Sequence, residues 1–412
     1  MYNIGFGDCF LLTFPAPVRP RKVLIDCGVH FLGHNQKQPF KDVLKQLIED
    51  VKENGIPTID LVVATHRHQD HVSGFANEMW NDVEVKEVWM PWTENYADKQ
   101  AVEILLSQSS KAQKVHQLLS KMVSNPGLFG LDHEEKIAEI EQIKGFAENS
   151  LKNPEAMNML HHGFKGGDAI PRKYLPLRDR ELNTIQPDFL PGVTVYVMGP
   201  SYDDTVIASM EPPTGEQWFK MMEDRGNTET PPVFPFHPDW SRKPSALRTA
   251  DLLLSPRDRR TIRSVDDNTA FSLAKGVEDA VNGTSLMIMF KIGSAHLFFP
   301  GDAQHGTWQA ALKDNEWREL LTKTNFYKVG HHGSHNATPK EFVHKVLRAG
   351  SNCKAMVSVY PVKIFEQIPK ANMLADLVAL PAEYVRSDMV VDPGDPPGFV
   401  RTELYVDTEI PI

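Results

Sequence analysis

Cysteine is scarce in this chain. Its 412 residues hold three, Cys9, Cys27 and Cys353. That number is odd and too small for a disulfide framework, so a reducing compartment is expected. Cys9 and Cys27 lie in apolar, strand-like runs and read as small core residues, and no cysteine pattern competes with histidine for a metal. Long apolar runs are also missing: no window reaches about 18 uninterrupted apolar residues. The longest candidate, Ser285 to Pro300, is broken by Lys291 and His296, so no membrane span is expected. Met1 to Gly5 runs directly into a strand-like segment without a basic start or an apolar core, so no signal peptide is expected and the expected location is cytoplasmic. There is no basic excess either. The net charge of −10 argues against non-specific attraction to nucleic acid or anionic membranes, although a local basic groove remains compatible with it. The hydrophobic fraction of 41% is that of an ordinary globular chain with ample core. At roughly 150 residues per domain, the length allows two or three domains, or one large domain with insertions.

What is present is histidine in a telling arrangement. Thr65-His66-Arg67-His68-Gln69-Asp70-His71 reads H-x-H-x-D-H. It follows Ile59-Asp60-Leu61-Val62-Val63-Ala64, a short β-branched run that predicts a buried strand. His66 and His68, two apart on extended backbone, can point the same way and bind one ion, whereas Asp70 and His71 come as the chain turns and face a second position. Imidazole with carboxylate suits zinc, manganese or iron. Two further clusters follow predicted strands. Leu286 to Phe290 and His296 to Phe299 form an expected hairpin ending in Pro300-Gly301-Asp302, where Asp302 is placed to bridge two metals, one oxygen to each. Asn325 to Val329 leads into Gly330-His331-His332-Gly333-Ser334-His335; one histidine of this pair would complete the second metal and the other would face the substrate or leaving group.

The H-x-H-x-D-H stretch resembles the signature of the metallo-β-lactamase fold superfamily. The resemblance is strengthened by Gly5-x-Gly7-Asp8-Cys9, by Ile25-Asp26-x-Gly28, and by Asn282-x-x-Ser285 before a strand. Pro300-Gly301-Asp302 and Lys328-Val329-Gly330-His331-His332-Gly333-Ser334 add to it. It implies an α/β fold of αββα type, two sheets face to face with helices outside, and a one- or two-metal site at an edge. Together these motifs resemble one branch, that of the DNA-uptake competence proteins and phosphorylcholine esterases. The membrane channel of the competence proteins has no counterpart, so transport does not carry over. The similarity touches residues 1–30, 59–75, 193–200 and 282–360.

The family places Asp26 beneath the metal loop as a support; a plain turn aspartate is the alternative. Two departures stand out. After the strand Val193 to Met198 the usual third histidine is replaced by Gly199-Pro200-Ser201, and Asn282 is the leading substitute ligand, with a turn role as its alternative. After Lys354 to Val359 a family His-Pro is replaced by Ile368-Pro369-Lys370. The resemblance implies a binuclear hydrolase holding two divalent ions, zinc or manganese, and acting on a small-molecule or nucleotide phosphoester by a metal-bridging hydroxide. His66, His68 and Asp302 would hold the first ion, and Asp70, His71, Asp302 and His332 the second. Asp70 and His331 are the catalytic candidates, with His331 at the non-bridging oxygen or leaving group. The choice of His332 over His331 as ligand follows the esterases, and the spacing alone permits the reverse. The alternatives are a nuclease acting on DNA or RNA and a non-catalytic metal-containing binding or effector protein. The sequence carries no mark of oligomeric state.

Residues 1–412 are expected to form one domain of this fold with two insertions. The first, 91–190, is helical, with Ala101 to Val123 and His133 to Leu151 as expected helices, and makes a cap beside the site. Trp89, Trp92 and Glu94 at its start are candidates for a pocket wall, with core aromatics as the plainer reading. The pair His161-His162 within it is a weaker candidate for the site. The second, 201–279, is Pro-rich and irregular. One helix is expected near Glu216 to Asp224, and a basic latter half runs from Arg242 to Arg263.

Overall fold

A computed structural model of the chain describes residues 1–35, 37–126, 134–149, 153–178, 183–210, 212, 267–347, 353–362, 368–379, 383–389 and 395–412. Most of the Pro-rich insertion, with its expected helix and basic run, lies outside them.

The described chain is a mixed α/β protein with two large sheets. The first contains β1 (Cys9–Phe14), β2 (Arg21–Cys27), β3 (Lys52–Glu53), β4 (Ile56–Val63), β5 (Glu84–Pro91) and β6 (Arg172–Leu175), with spatial order β1-β2-β4-β5-β6 and β3 paired to β4. The two strand-like runs holding Cys9 and Cys27 form the antiparallel hairpin β1–β2, with Cys9 opposite Cys27. β2, β4, β5 and β6 run parallel. Parallel strands are covered on both faces, which explains the unbroken apolar run of Leu61, Val62 and Val63. The second sheet contains β7 (Thr184–Ile185), β8 (Val193–Gly199), β9 (Met287–Ile292), β10 (Ala295–Phe299), β11 (Phe326–Lys328), β12 (Lys354–Val357) and β13 (Glu383–Arg386), ordered β13-β12-β11-β10-β9-β8-β7.

One hydrophobic cluster joins the sheets. Phe10, Phe14, Ile25, Leu61, Val63 and Trp89 of the first meet Val195, Val197, Ile288, Phe290, Phe299 and Met356 of the second. The alternate residues point outward: Leu24, Val62 and Val88 pack on Val43, Leu44 and Leu47 of α1 (Phe40–Asp50). Met289, Phe298, Tyr327 and Ala355 pack on Trp308, Leu312 and Phe342. Trp89 therefore belongs to the core. The amphipathic spacing of Val43, Leu44, Leu47, Ile48 and Val51 predicts a helix over Phe40 to Asn54, but α1 ends at Asp50. Lys52 and Glu53 instead fold back onto Pro57 and Ile56, with Asn54 and Gly55 at φ 51° and 83°. An Asn-Gly pair is suited to the left-handed turn of a two-residue hairpin, and it outcompetes the last helical turn.

The four-residue helix α2 (Gln69–Val72) continues the histidine-rich loop that follows β4. Within residues 91–190 lie the helices α3 (Lys99–Ser124), α4 (Glu134–Asn149) and α5 (Pro154–His162), whereas β6 and β7 of the same stretch belong to the two sheets. The partner of α3 and α4 comes from the end of the second insertion, where residues 267–282, expected to continue an irregular excursion and lead into a strand, form helix α6 (Asp267–Asn282). Ala274 and Val277 of α6 join Ala112, Val115 and Leu119 of α3 and Ile140, Ile143 and Ala147 of α4 in one apolar cluster. The helical spacing of Ala274, Val277 and Val281 acquires meaning only against that partner surface. Among the described residues no helix is long and apolar enough to cross a membrane.

Candidate metal centre

Four strand ends converge at one edge of the paired sheets. His66 to His71 follow β4, Asp302 follows β10, His331 and His332 follow β11, and Ser358 follows β12. Functional groups gather at the carboxyl ends of parallel strands because the loops there leave a crevice. His66, His68, Asp70, His71, Asp302 and His332 are all at most 4% exposed.

Their donor atoms come in close pairs. His66 Nε2 lies 3.1 Å from His68 Nδ1. His71 Nε2 lies 3.2 Å from Asp302 Oδ2, and His332 Nε2 lies 3.2 Å from Asp70 Oδ2. Two donors each roughly 2.0–2.1 Å from one tetrahedral ion stand about 3.3 Å apart, so each pair spans close to one edge of such a site. Asp70, His71, Asp302 and His332 each bring one donor atom to within 4.8 Å of the others. His66 joins this group through its ring, 4.1 Å from that of His71 between centroids.

The remaining imidazole nitrogens are held from behind. Asp26 accepts from Thr65 N and Thr65 Oγ1, each at 2.7 Å, and from His71 Nδ1 at 2.8 Å. Asp26 thus supports the metal loop rather than a turn, at a positive φ of 56° that is uncommon outside glycine. Ser358 O accepts from His332 Nδ1 at 2.8 Å, and Thr65 Oγ1 is 3.1 Å from His66 Nδ1. Such partners fix the tautomer, so that the lone pair of the other nitrogen faces the site. The β11 loop is bent to deliver its histidine: His331 and His332 have φ 44° and 52°. Strained backbone of this kind persists where the surrounding structure over-determines it.

Asp302 does not divide its oxygens between two positions. Oδ1 accepts from His331 N at 3.1 Å and from Lys328 Nζ at 3.4 Å, leaving Oδ2 to face His71. Lys328 is a buried ammonium that also pairs with Asp8. His331 stands at the rim, its side chain 15% exposed and Nε2 3.9 Å from Asp302 Oδ2. Asn282, the last residue of α6, points its Nδ2 toward His331 Nε2 at 3.5 Å, and its buried Oδ1 has no hydrogen-bond partner.

The electrostatics follow from burial of many carboxylates. Burial opposes the charged forms of Asp70 and Asp302, yet His71, with Lys328 beside Asp302, holds both well below the usual carboxylate range. Burial also opposes protonation of His71, but Asp302, Asp26, Asp8 and Asp70 outweigh it and raise its pKa well above the ordinary value. His332 is raised against burial mainly by its bond to Asp70. Burial, then neighbouring histidine charge, lowers His66, and burial brings His68 down to about 4. Lys328 pairs with Asp8 and Asp302, while Asp26 and Asp70 bond to His71 and His332; divalent cations are suited to such a concentration of buried carboxyl groups.

The other candidates fall outside the cluster. His161 lies on α5, bonded through Nδ1 to Tyr174 OH at 3.1 Å, and His162 pairs with Asp168 at the surface. Trp92 is buried and stacks on Tyr202. Glu94 clamps Arg67 in two bonds of 3.0 and 2.9 Å. Sequence reasoning missed the supports from the cap. Asn149 accepts from Gln69 N at 2.8 Å and reaches Asp70 Oδ1 at 3.4 Å. Asn153 donates to Arg67 O at 2.7 Å. No local pattern marks these asparagines. Asp8 and Lys328 had a signal, since both lie inside quoted motifs.

No protein-family model matches this chain, and no curated protein matches it.

Proposed function

We propose that the protein is a metal-dependent hydrolase of phosphoesters, most simply a phosphodiesterase, on an αββα sandwich of the metallo-β-lactamase type. The observation that carries this reading is the set of three buried donor pairs, each 3.1–3.2 Å apart, at the ends of parallel strands. The donor chemistry fits two divalent ions, zinc or manganese. His66, His68 and Asp302 would hold one, with the free Oδ1 of Asn282 in place of a third imidazole. Asp70, His71, Asp302 and His332 would hold the other, with Asp302 common to both. When bound, the ions supply Lewis acidity that makes hydroxide available near neutral pH and offsets charge on phosphoryl oxygen.

The chain's own residues do the rest. Asp26 and Ser358 keep the Nε2 lone pairs of His71 and His332 turned into the site. Lys328 holds Asp302 in one orientation and balances its charge. Asn149 anchors the loop carrying Asp70. His331, at the rim and kept neutral by burial, is placed to hydrogen-bond a substrate oxygen or the leaving group. The choice of phosphoester rests on the sequence resemblance, not on a residue in the cluster.

The test is elemental analysis beside hydrolysis of bis-p-nitrophenyl phosphate with zinc and with manganese, on the unaltered chain and on Asp302→Ala. The expected result is about two metals per chain and a metal-dependent rate, both lost together in Asp302→Ala. An active variant without metal would overturn the scheme. Two metals without a rate would overturn the phosphoester assignment.

A further inference from the structure

Strand β1 is the outer strand of the first sheet, hydrogen-bonded on one side to β2. Its other side is open. Tyr2 N donates to Cys9 O at 2.9 Å. Beyond that point, among the described residues, the backbone of Phe10 to Phe14 has no partner other than β2. Such an edge is a template for another strand, and proteins usually blunt it with charge, proline or a bulge. The run Cys9-Phe10-Leu11-Leu12-Thr13-Phe14 has neither charge nor proline. Its register shift falls at Cys9 and Phe10, the end that Tyr2 already covers. Leu11 and Leu12 are half-buried, and Thr13 is exposed.

A cavity of about 620 Å³ lies beside this edge. Phe10, Leu12 and Phe14 line it from β1, and Leu297, Phe299 and Met356 line it from the second sheet. It sits toward the end of the sheets away from the metal cluster. Ala295 and Phe326 in its lining begin β10 and β11, whose other ends lead to Asp302 and to His331 and His332. The charged side chains of the lining are Asp407 and Glu409, both exposed. Lys354, outside the lining, donates to Thr408 Oγ1 and Glu409 O at 2.9 and 3.1 Å. One ammonium beside two carboxylates leaves the rim acidic.

We propose that β1 and this cavity receive an extended peptide of another protein, with apolar side chains at alternate positions and a basic residue beside them. The peptide adds to the sheet as a strand, and its backbone pairs with the free side of β1. Every second side chain of an added strand faces the inner side of the sheet, beside Phe10, Leu12 and Phe14, and fills the cavity. The basic residue meets Glu409. The free edge selects a peptide over a lone apolar molecule, which would leave the backbone of β1 unpaired. The acidic rim selects against β1 of a second copy, which would bring two like-charged rims together. The surface is separate from the metal cluster and independent of what is hydrolysed there.

Fluorescence anisotropy of the full chain with the labelled peptide Lys-Leu-Thr-Leu-Thr-Leu-Lys tests this. The peptide should bind with a Kd below about 1 mM. Two N-methylated forms, one blocked at the leucines and one at the threonines, test the backbone pairing. At least one of them should bind about tenfold more weakly. Leu12→Lys should weaken binding by about tenfold or more, and Glu409→Lys by about threefold. Glu409 is exposed, so the fold should survive its change; circular dichroism checks both variants. Asp302→Ala should bind the peptide as the unaltered chain does. The proposal fails if the peptide does not bind, if both N-methylated forms bind as the parent does, or if either β1 or rim variant binds unchanged. A dimer of the chain alone in sedimentation, broken by Leu12→Lys, would also overturn it and make a second copy the occupant of the edge.

Discussion

Replacing Asp26 by Asn changes one atom and should disable one metal position. In the native site Asp26 accepts three hydrogen bonds, from Thr65 N, Thr65 Oγ1 and His71 Nδ1, at 2.7, 2.7 and 2.8 Å. Asn at this position keeps an oxygen for Thr65 N but presents N–H groups to the other two. Thr65 Oγ1 can turn and accept. His71 Nδ1 can accept only by moving its proton to Nε2, the atom 3.2 Å from Asp302 Oδ2. A protonated Nε2 has no lone pair for an ion. Loss of such a supporting partner costs roughly 10–100-fold in metal affinity, which is about 1.4–2.7 kcal/mol. The fold should hold, because side-chain volume is unchanged. In addition, burial and the nearby Asp8 carboxylate already push the Asp26 carboxyl up despite His71, so neutralising it is not costly. Competitive titration against a chromophoric chelator reads the affinity, and a urea melt of the metal-free protein reads the fold. An affinity indistinguishable from that of the unaltered chain would refute the assignment of His71 Nε2 as a ligand.

Lys328→Met should destabilise the metal-free protein by about 3–5 kcal/mol, because it leaves Asp8 and Asp302 buried without their cation; urea denaturation measures this, and added zinc should narrow the gap. Gly28→Ala would place a Cβ 2.5 Å from Gln69 O, His71 C and Val72 N. These are backbone atoms that cannot move aside cheaply, so a cost of about 1–3 kcal/mol and a fall in bound metal by elemental analysis are expected. Metal binding should release about one to two protons near pH 7, because His332, like His71, is raised above its ordinary value. His71, raised well above 6.5, must lose its proton, whereas His68, at about 4, is already neutral. Calorimetry in buffers of different ionisation enthalpy counts the protons, and affinity should climb with pH until His71 titrates. By the same sign, the stability that protonated His71 gives the metal-free fold is full below 6.5 and is lost as pH rises through its raised value.

Local pattern alone determined much of the frame. The apolar run Ile59–Ala64, the strand-like runs at Cys9 and Cys27 and the helical periods after Ala101 each became the element their spacing implied, because burial on one face or two imposes a period that the chain must keep. The candidate cluster was legible too, since His66, His68, Asp70, His71, Asp302 and His332 all follow strands whose ends converge. The tertiary structure alone decided which atoms face one another. Asn149 and Asn153 reach the metal loop from a cap whose docking no local spacing encodes. Helix α6 forms where an irregular excursion was expected, because α3 and α4 offer it a surface to bury Ala274 and Val277. Asp302 turns only Oδ2 inward because Lys328 and a backbone N–H, brought by a different strand, take Oδ1. Residue type and spacing state what chemistry a side chain can do; the partners that orient it come from distant parts of the chain, and only the folded packing brings them within hydrogen-bonding distance.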